Sequence, residues 1–367
     1  MTGIYIHIPF CRRKCPYCDF YSAPADDETI QRYVEAVCRN ISYYGGQGIE
    51  ADTIYFGGGT PSLLSVGQLD SIISACDRNF NLVFPEITLE ANPSSVDYRK
   101  LAGYRRAGVN RISFGVQSAV DSELEFLGRL HNFEQAEYAV ENAVEAGFDN
   151  ISCDLMIGLA GQTMKSLAYS VNKLLDLPLY HISAYMLKIE KGTAFDCEKV
   201  KKQIADEDLV CDMYLETAEM LEKKGFEHYE ISNFAKNRAY SRHNLKYWRG
   251  EEYLGFGAGA HSFFSGKRYC CPKDTNLYIT EDKQQEMLLE VNPDKLEEYI
   301  MLGLRLKWGI ELQRVSVLGG RDFAKSLLSK ALLYSENDLC TIENGRVSLT
   351  AKGFLVSNDI ISEFLDC

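Results

Sequence analysis

From Gly3 to Leu187 the chain alternates short β-branched runs with stretches of helical spacing. The runs are GIYIHI (3–8), DTIYF (52–56), EITLEA (86–91), RISFGV (111–116), NISCDLMIG (150–158) and HISAYML (181–187). Between them lie amphipathic segments such as DETIQRYVEAVCRNISYY (27–44), SVGQLDSIISACDRNF (65–80), DYRKLAGYRRAG (97–108), NFEQAEYAVENAVEAG (132–147) and TMKSLAYSVNKLLDL (163–177). Strands separated by helices of this length pair in parallel through right-handed crossovers. About six such units precede Leu187. The fold class is therefore α/β, an open or partial parallel β/α barrel. Asp26 or Asp27 can cap the first helix, and Gly45–Gly46 can stop it.

Residues 206–290 have a mixed character. A long helix (206–225) precedes HYEIS (228–232), and a turn-rich stretch runs from Asn233 to Phe264. From Val291 the pattern changes to helices and one hairpin. DKLEEYIMLGLRLKWG (294–309) is helical and two short helical pieces follow. CTIENGRVSLT (340–350) turns at Asn344–Gly345, and AKGFLVSNDIISEFL (351–365) ends the chain as a helix. This predicts a barrel over 1–230, a connecting segment over 231–290 and a small winged-helix-like unit over 291–367. That last unit carries 11 acidic and 9 basic residues, so it is a packing or lid unit, not a DNA-reading wing.

The whole chain has 367 residues and a net charge of −13. Such a surface repels phosphate backbones, which argues against a nucleic-acid partner. No basic segment with a cleavage site opens the sequence, and no apolar run reaches the ~18 residues of a membrane span, so a cytoplasmic location is expected. The 12 cysteines then read as reduced thiols or metal ligands. Nine are scattered, and buried small hydrophobes are the simplest account of them. The adjacent pair Cys270–Cys271 has no evident function.

The other three lie together in CRRKCPYCDF, as Cys11, Cys15 and Cys18. Three thiolates leave a zinc site one ligand short unless His7 or Asp19 completes it. They also leave a four-iron–four-sulfur cluster with one open iron, which is useful if a ligand binds it. The residues alone leave both readings open. The basic run Arg12-Arg13-Lys14 is either solvated or a charge-balancing dock for an acidic electron donor.

Ligands of parallel β/α folds bind at the carboxyl ends of strands. The triplet follows the first strand. Gly57-Gly58-Gly59-Thr60-Pro61 follows the second, and its backbone N–H groups can hold a carboxylate. Glu90 ends the third, where a carboxylate could accept a ligand's hydroxyls. Gln117-Ser118 and Asp154 lie at the next two ends, with Arg129 between them in LGRLH. Each alone would pass for a capping residue, but four successive strand ends of this kind point to one shared mouth.

Cys11-x-x-x-Cys15-x-Tyr17-Cys18 resembles the signature of the radical S-adenosylmethionine (SAM) family. That resemblance implies a four-iron–four-sulfur cluster on the three cysteines, with SAM chelated at the fourth iron and cleaved by one electron to a 5′-deoxyadenosyl radical. Flavodoxin or a ferredoxin-type protein would be the electron donor. It further implies that Gly58, Gly59 and Thr60 hold the methionyl amino group and that the Tyr17 backbone meets the adenine. Tyr5, Glu90, Gln117, Arg129 and Asp154 match SAM-contacting positions.

YIHIPFC, CPYCDF, FGGGTPS, EANP, RAGVNRISFGVQS, LGRLH, DLMIGL and HNLKYW together resemble the coproporphyrinogen-oxidase-like branch, over most of the chain. The oxygen-independent oxidase of that branch has a further cysteine where this chain has Phe20, and an N-terminal extension before the triplet. The resemblance is instead to the HemW heme-chaperone family, which shares the H-N-x-x-Y-W motif. It implies heme as cargo, a respiratory heme protein as acceptor and contact with the inner face of the membrane during delivery, with a homodimer left open. His243 would be the axial ligand, flanked by Tyr247 and Trp248, and His261 is its rival. On spacing alone the favoured reading of His243 is an ordinary hydrogen-bonded histidine in a loop. The other readings kept open are a coproporphyrinogen dehydrogenase acting on propionates, and a zinc-stabilised binding protein without redox chemistry.

Overall fold

The computed structural model describes residues 1–367. Six parallel strands stand side by side in chain order: β1 (Thr2–Ile8), β2 (Glu50–Gly58), β3 (Asn81–Ala91), β4 (Arg111–Gln117), β5 (Ile151–Ile157) and β6 (His181–Met186). The crossover helices include Asp27–Ser42, Val66–Asn79, Tyr98–Arg106, Phe133–Glu145 and Met164–Leu175. Their starts are set by side-chain caps. Asp26 accepts from the Thr29 N–H, and Ser65 with Gln68 and Asn132 with Gln135 form reciprocal boxes.

Strand alternation puts two different surfaces to work. Ile4, Ile6, Ile8, Ile54, Phe56, Leu89, Ile112, Phe114 and Val116 are buried in one contiguous apolar core that extends to Phe364. The intervening residues are polar or aromatic. Tyr5 pairs in register with Tyr55, Tyr55 with Thr88, Thr88 with Arg111, and Ser152 with His181. The opposite face of the curved sheet is therefore a polar column, buried but rich in hydrogen-bonding groups.

Beyond β6 the chain adds β7 (Glu227–Glu230) and β8 (Asn233–Ala235), antiparallel at that edge. It then crosses to the other edge. There β9 (Tyr253–Phe256) pairs parallel with β1, and β10 (His261–Phe264), β11 (Lys267–Cys270) and β12 (Met287–Val291) follow antiparallel, completing a 12-stranded sheet. The stretch read as turn-rich thus supplies strands and the helix Arg242–Trp248. Strands of three to five residues are too short for alternation to reveal. Cys270 and Cys271 are both buried, as small core residues would be.

The C-terminal part has helices Lys295–Gly303, Leu312–Gly319 and Arg321–Ser335. A small sheet combines β13 (Ile310–Glu311), β14 (Cys340–Glu343) and β15 (Arg346–Leu349). The β14–β15 turn carries Asn344 and Gly345 at φ +50° and +75°, as a two-residue hairpin turn requires. Two expectations need correction. Arg321–Ser335 is a 15-residue helix, not a short piece, and the final helix breaks at Val356 into Ala351–Leu355 and Ser357–Leu365. No helix is long and apolar enough to cross a membrane.

Candidate active site at the mouth of the barrel

The loop after β1 and the carboxyl ends of β2 to β6 enclose a pocket of about 330 Å3. Cys11, Cys15 and Cys18 line it, together with Tyr17, Gly58, Gly59, Thr60, Glu90, Gln117, Arg129 and Asp154. Eleven of the twelve cluster and SAM positions named from sequence therefore share one cavity. The exception is Tyr5. Its hydroxyl bonds His7 Nδ1 at 3.0 Å, and it lines an adjoining cavity of about 320 Å3 with His7, Tyr247, Tyr253 and His261. Its ring still backs the mouth, since a Cβ on Gly57 would stand 3.1 Å from Tyr5 Cε2.

The glycines are required by close approach. Gly58 has φ +111°, and a Cβ there would sit 2.6 Å from the His7 ring; one on Gly59 would sit 2.6 Å from the Phe10 carbonyl oxygen. Backbone is thus brought against the cysteine loop, and the Thr60 hydroxyl donates to Cys11 Sγ at 3.4 Å. Arg129 reaches the same loop, with Nη1 donating to Cys15 Sγ at 3.8 Å and Nη2 to the Gly115 carbonyl at 2.6 Å. Its buried Nε has no partner. Gln117, a non-glycine residue at φ +76°, is strained where β4 ends, as residues at binding sites often are.

Two carboxyls are held in this mouth. Burial pushes Glu90 up to about 7, opposed by the Tyr55 hydroxyl that donates to it at 2.7 Å; nearby Asp154 pushes it further up. Burial likewise raises Asp154 to about 6, with the hydroxyls of Ser183 and Ser113 pulling it back. Burial also raises the Cys18 thiol, and Cys15 and Cys11 add to the rise by their proximity. Sequence reading missed Ser113, Tyr185 and Asn92, which also line the pocket. Ser113 and Tyr185 lie on strand faces beside Glu90 and Asp154, so alternation along β4 and β6 was the available signal.

The donor set fits an iron–sulfur cluster better than zinc. His7 is committed at both ring nitrogens, to Tyr5 and to the Tyr21 carbonyl at 3.0 Å. Asp19 lines the adjoining cavity. Neither proposed fourth zinc ligand faces the thiols, and the three cysteines instead line a cavity with an unpaired guanidinium N–H and two carboxyls. In the basic run, Arg13 donates to the Gly128 carbonyl at 2.6 Å and Lys14 to that of Phe20 at 2.9 Å; all three side chains are exposed.

The H-N-x-x-Y-W residues do not form one site. His243 is buried at the amino-terminal end of the strands, stacked on Tyr55 at 5.2 Å. Its Nδ1 meets the Thr53 hydroxyl and its Nε2 the Tyr247 hydroxyl, each at 2.8 Å. Burial pushes its pKa down to about 3. With both ring nitrogens engaged, this geometry favours the structural role weighed for it, and an axial-ligand role would require one of the two bonds to break. The spacing has a local cause: residues four apart on a helix face each other. Tyr247 lines the cavity shared with Tyr5, and Trp248 lines a separate cleft. His261 is exposed at the rim of the Tyr5 cavity.

The profile of the Radical SAM superfamily matches residues 5–174, and that of the HemN C-terminal domain matches residues 292–356. The heme chaperone HemW of Lactococcus lactis is 35% identical over 378 residues, covering 99% of this chain and 97% of the relative. That of Bacillus subtilis is also 35% identical, covering 100% and 99%. The structure of coproporphyrinogen III oxidase (HemN) from Escherichia coli, described as a radical SAM enzyme, superposes with a TM-score of 0.84 at 20% identity, covering 99% of this chain and 89% of that one. The last likeness establishes the fold, and the full-length relatives establish the branch: this chain belongs to the HemW family of the radical SAM superfamily.

Proposed function

We propose that the chain is a heme chaperone that carries a SAM-ligated four-iron–four-sulfur cluster and delivers heme to respiratory proteins. The observation that carries the cofactor part is the convergence of three thiols, a glycine-rich backbone cradle, the unpartnered Arg129 Nε and two carboxyls on one cavity. Cys11, Cys15 and Cys18 would hold the cluster, which supplies one-electron chemistry when bound. Gly58, Gly59 and Thr60 would take the methionyl amino group, Glu90 the ribose hydroxyls, and Gln117, Arg129 and Asp154 the remaining polar atoms. Tyr17, Tyr5 and the cations of Arg12-Arg13-Lys14 complete this account as adenine neighbour, rear wall and dock for an acidic electron donor.

The heme part rests on the named function of relatives that match the chain end to end. Phe20, 67% exposed, stands where the oxidase of this branch places a further cysteine. The deciding experiment is anaerobic incubation of the reconstituted protein with SAM and coproporphyrinogen III, beside a heme titration. Saturable heme binding without vinyl product is expected. Vinyl formation at enzymatic turnover would replace this reading with that of a dehydrogenase.

A further inference from the structure

Both tryptophans of the chain, Trp248 and Trp308, line a single cleft of about 840 Å3. It lies at the amino-terminal end of the parallel strands, opposite the cysteine loop. Trp248 closes the helix that leads into β9, and β10 brings Phe263 down beside Tyr253. Tyr299 and Leu302 of helix Lys295–Gly303 form the facing wall. Both indoles are half-buried and line the cleft, with the Arg305 guanidinium 5.6 Å from the Trp248 ring. The volume falls within the range of about 300–1,000 Å3 typical of organic-ligand sites.

The charges around the cleft run against those of the molecule. In a chain of net −13, its lining has four cations, Arg249, Lys295, Arg314 and Arg346, and one acid, Glu298. Glu298 is already paired with Arg268. Arg346 is spent on Glu311 and on the Trp308 and Gly309 carbonyls. Arg249 lies 4.0 Å from Glu251, which leaves Lys295 and Arg314 without an acidic partner; all three cations are exposed at the rim. The Arg249 guanidinium lies 5.7 Å from the Trp308 ring, a cation placed over the aromatic wall. An aromatic slot with cations at its edge complements a flat apolar molecule bearing carboxylates.

We propose that a tetrapyrrole binds here, its macrocycle against Trp248 and Trp308 and its propionates on Arg314, Lys295 and Arg249. This rests on the heme-carrying reading and gives it a place. The lining has no histidine, cysteine or methionine. The Tyr299 hydroxyl already accepts the Glu311 N–H at 2.8 Å. Affinity therefore comes from the ring face and the carboxylates, and the iron stays open to a ligand from an acceptor.

Tryptophan emission of the full chain tests this, titrated with hemin and with iron-free protoporphyrin IX. Both should quench it saturably, with dissociation constants within about threefold of each other, since the iron contributes little. Arg314→Glu with Lys295→Glu should weaken both by about tenfold, the sum expected for reversing two exposed charges. Circular dichroism of that variant separates binding from folding, and His261→Ala should change neither constant. Hemin binding seen by absorbance without tryptophan quenching, failure of protoporphyrin to bind, or unchanged affinity in the charge-reversed chain would each overturn the cleft alone. A wild-type chain that takes up no hemin would overturn the heme-carrying reading with it.

Discussion

The two ends of the barrel are built on opposite principles. At the carboxyl ends of the strands, the mouth is narrow and its groups are held under tension: glycines against backbone, Gln117 at positive φ, two carboxyls raised by burial, and a guanidinium N–H without a partner. At the amino-terminal ends, the helix Arg242–Trp248 plugs the barrel with bonds that are satisfied except at the buried Ser241 hydroxyl before it. Lys246 reaches Asp52 at 2.8 Å and the Met1 carbonyl at 2.8 Å, and His243 has both nitrogens occupied. Outside that plug lies a wide cleft with half-buried aromatics and exposed cations. The first end fixes groups for chemistry at the expense of stability. The second is a closed structural floor that carries the cleft proposed for the tetrapyrrole. Chemistry needs preorganised charge, whereas transfer needs a site that lets go.

The comparison breaks if the two ends prove to be one site. Replacing Cys11, Cys15 and Cys18 together by Ser should abolish the cluster, from about four irons per chain to none, with loss of the brown chromophore. Porphyrin quenching of tryptophan should survive unchanged. Iron analysis and emission titration of the same sample check both halves, and joint loss would join the ends. Next in size, His243→Ala should destabilise the fold by about 3 kcal/mol, because a buried ring is lost and the Thr53 and Tyr247 hydroxyls are left unpaired. Urea unfolding measures this. An unaltered heme spectrum in the folded variant would support the structural role, and a lost Soret shift would restore the axial one.

The smallest effect sharpens the contrast through pH. Glu90 titrates near 7 in the fold and near the usual carboxyl value when unfolded, so the native state holds the extra proton between about pH 4.5 and 7. Ligand-free stability should therefore fall as pH rises through that window. In its proposed role Glu90 would accept the ribose hydroxyls in its ionised form, so SAM should bind more tightly as pH goes from 6 to 7.5, by at most about tenfold. Glu90→Gln should flatten that dependence in calorimetric titrations, while porphyrin affinity at the opposite end should not follow Glu90.

The alternation in GIYIHI, DTIYF and their successors was enough to define six parallel strands, because each crossover is local and its helix is capped by neighbours such as Asp26 or Ser65. The mouth was equally legible. In a parallel sheet the residue after a strand faces the ligand end, whatever the distant contacts are. Tyr5 escaped that logic because its hydroxyl was claimed by His7 two residues on, whereas Asp154, equally within its strand, faces the mouth.

The short strands β8 to β11 lack enough residues to show a period, and their places at both sheet edges come from long-range pairing. HNLKYW could be recognised but not interpreted. His243 and Tyr247 face each other by helix geometry, yet only the packing of that helix against Thr53 and Asp52, 190 residues earlier, turns the pair into a floor. The cleft was invisible in one dimension, since Trp248, Phe263, Tyr299 and Arg314 share no spacing. What the sequence determined by itself was local: strands, caps, a thiol loop and the glycines beside it. What the tertiary structure decided was which histidine is buried and which aromatics meet, because burial depends on the summed packing of segments far apart in the chain.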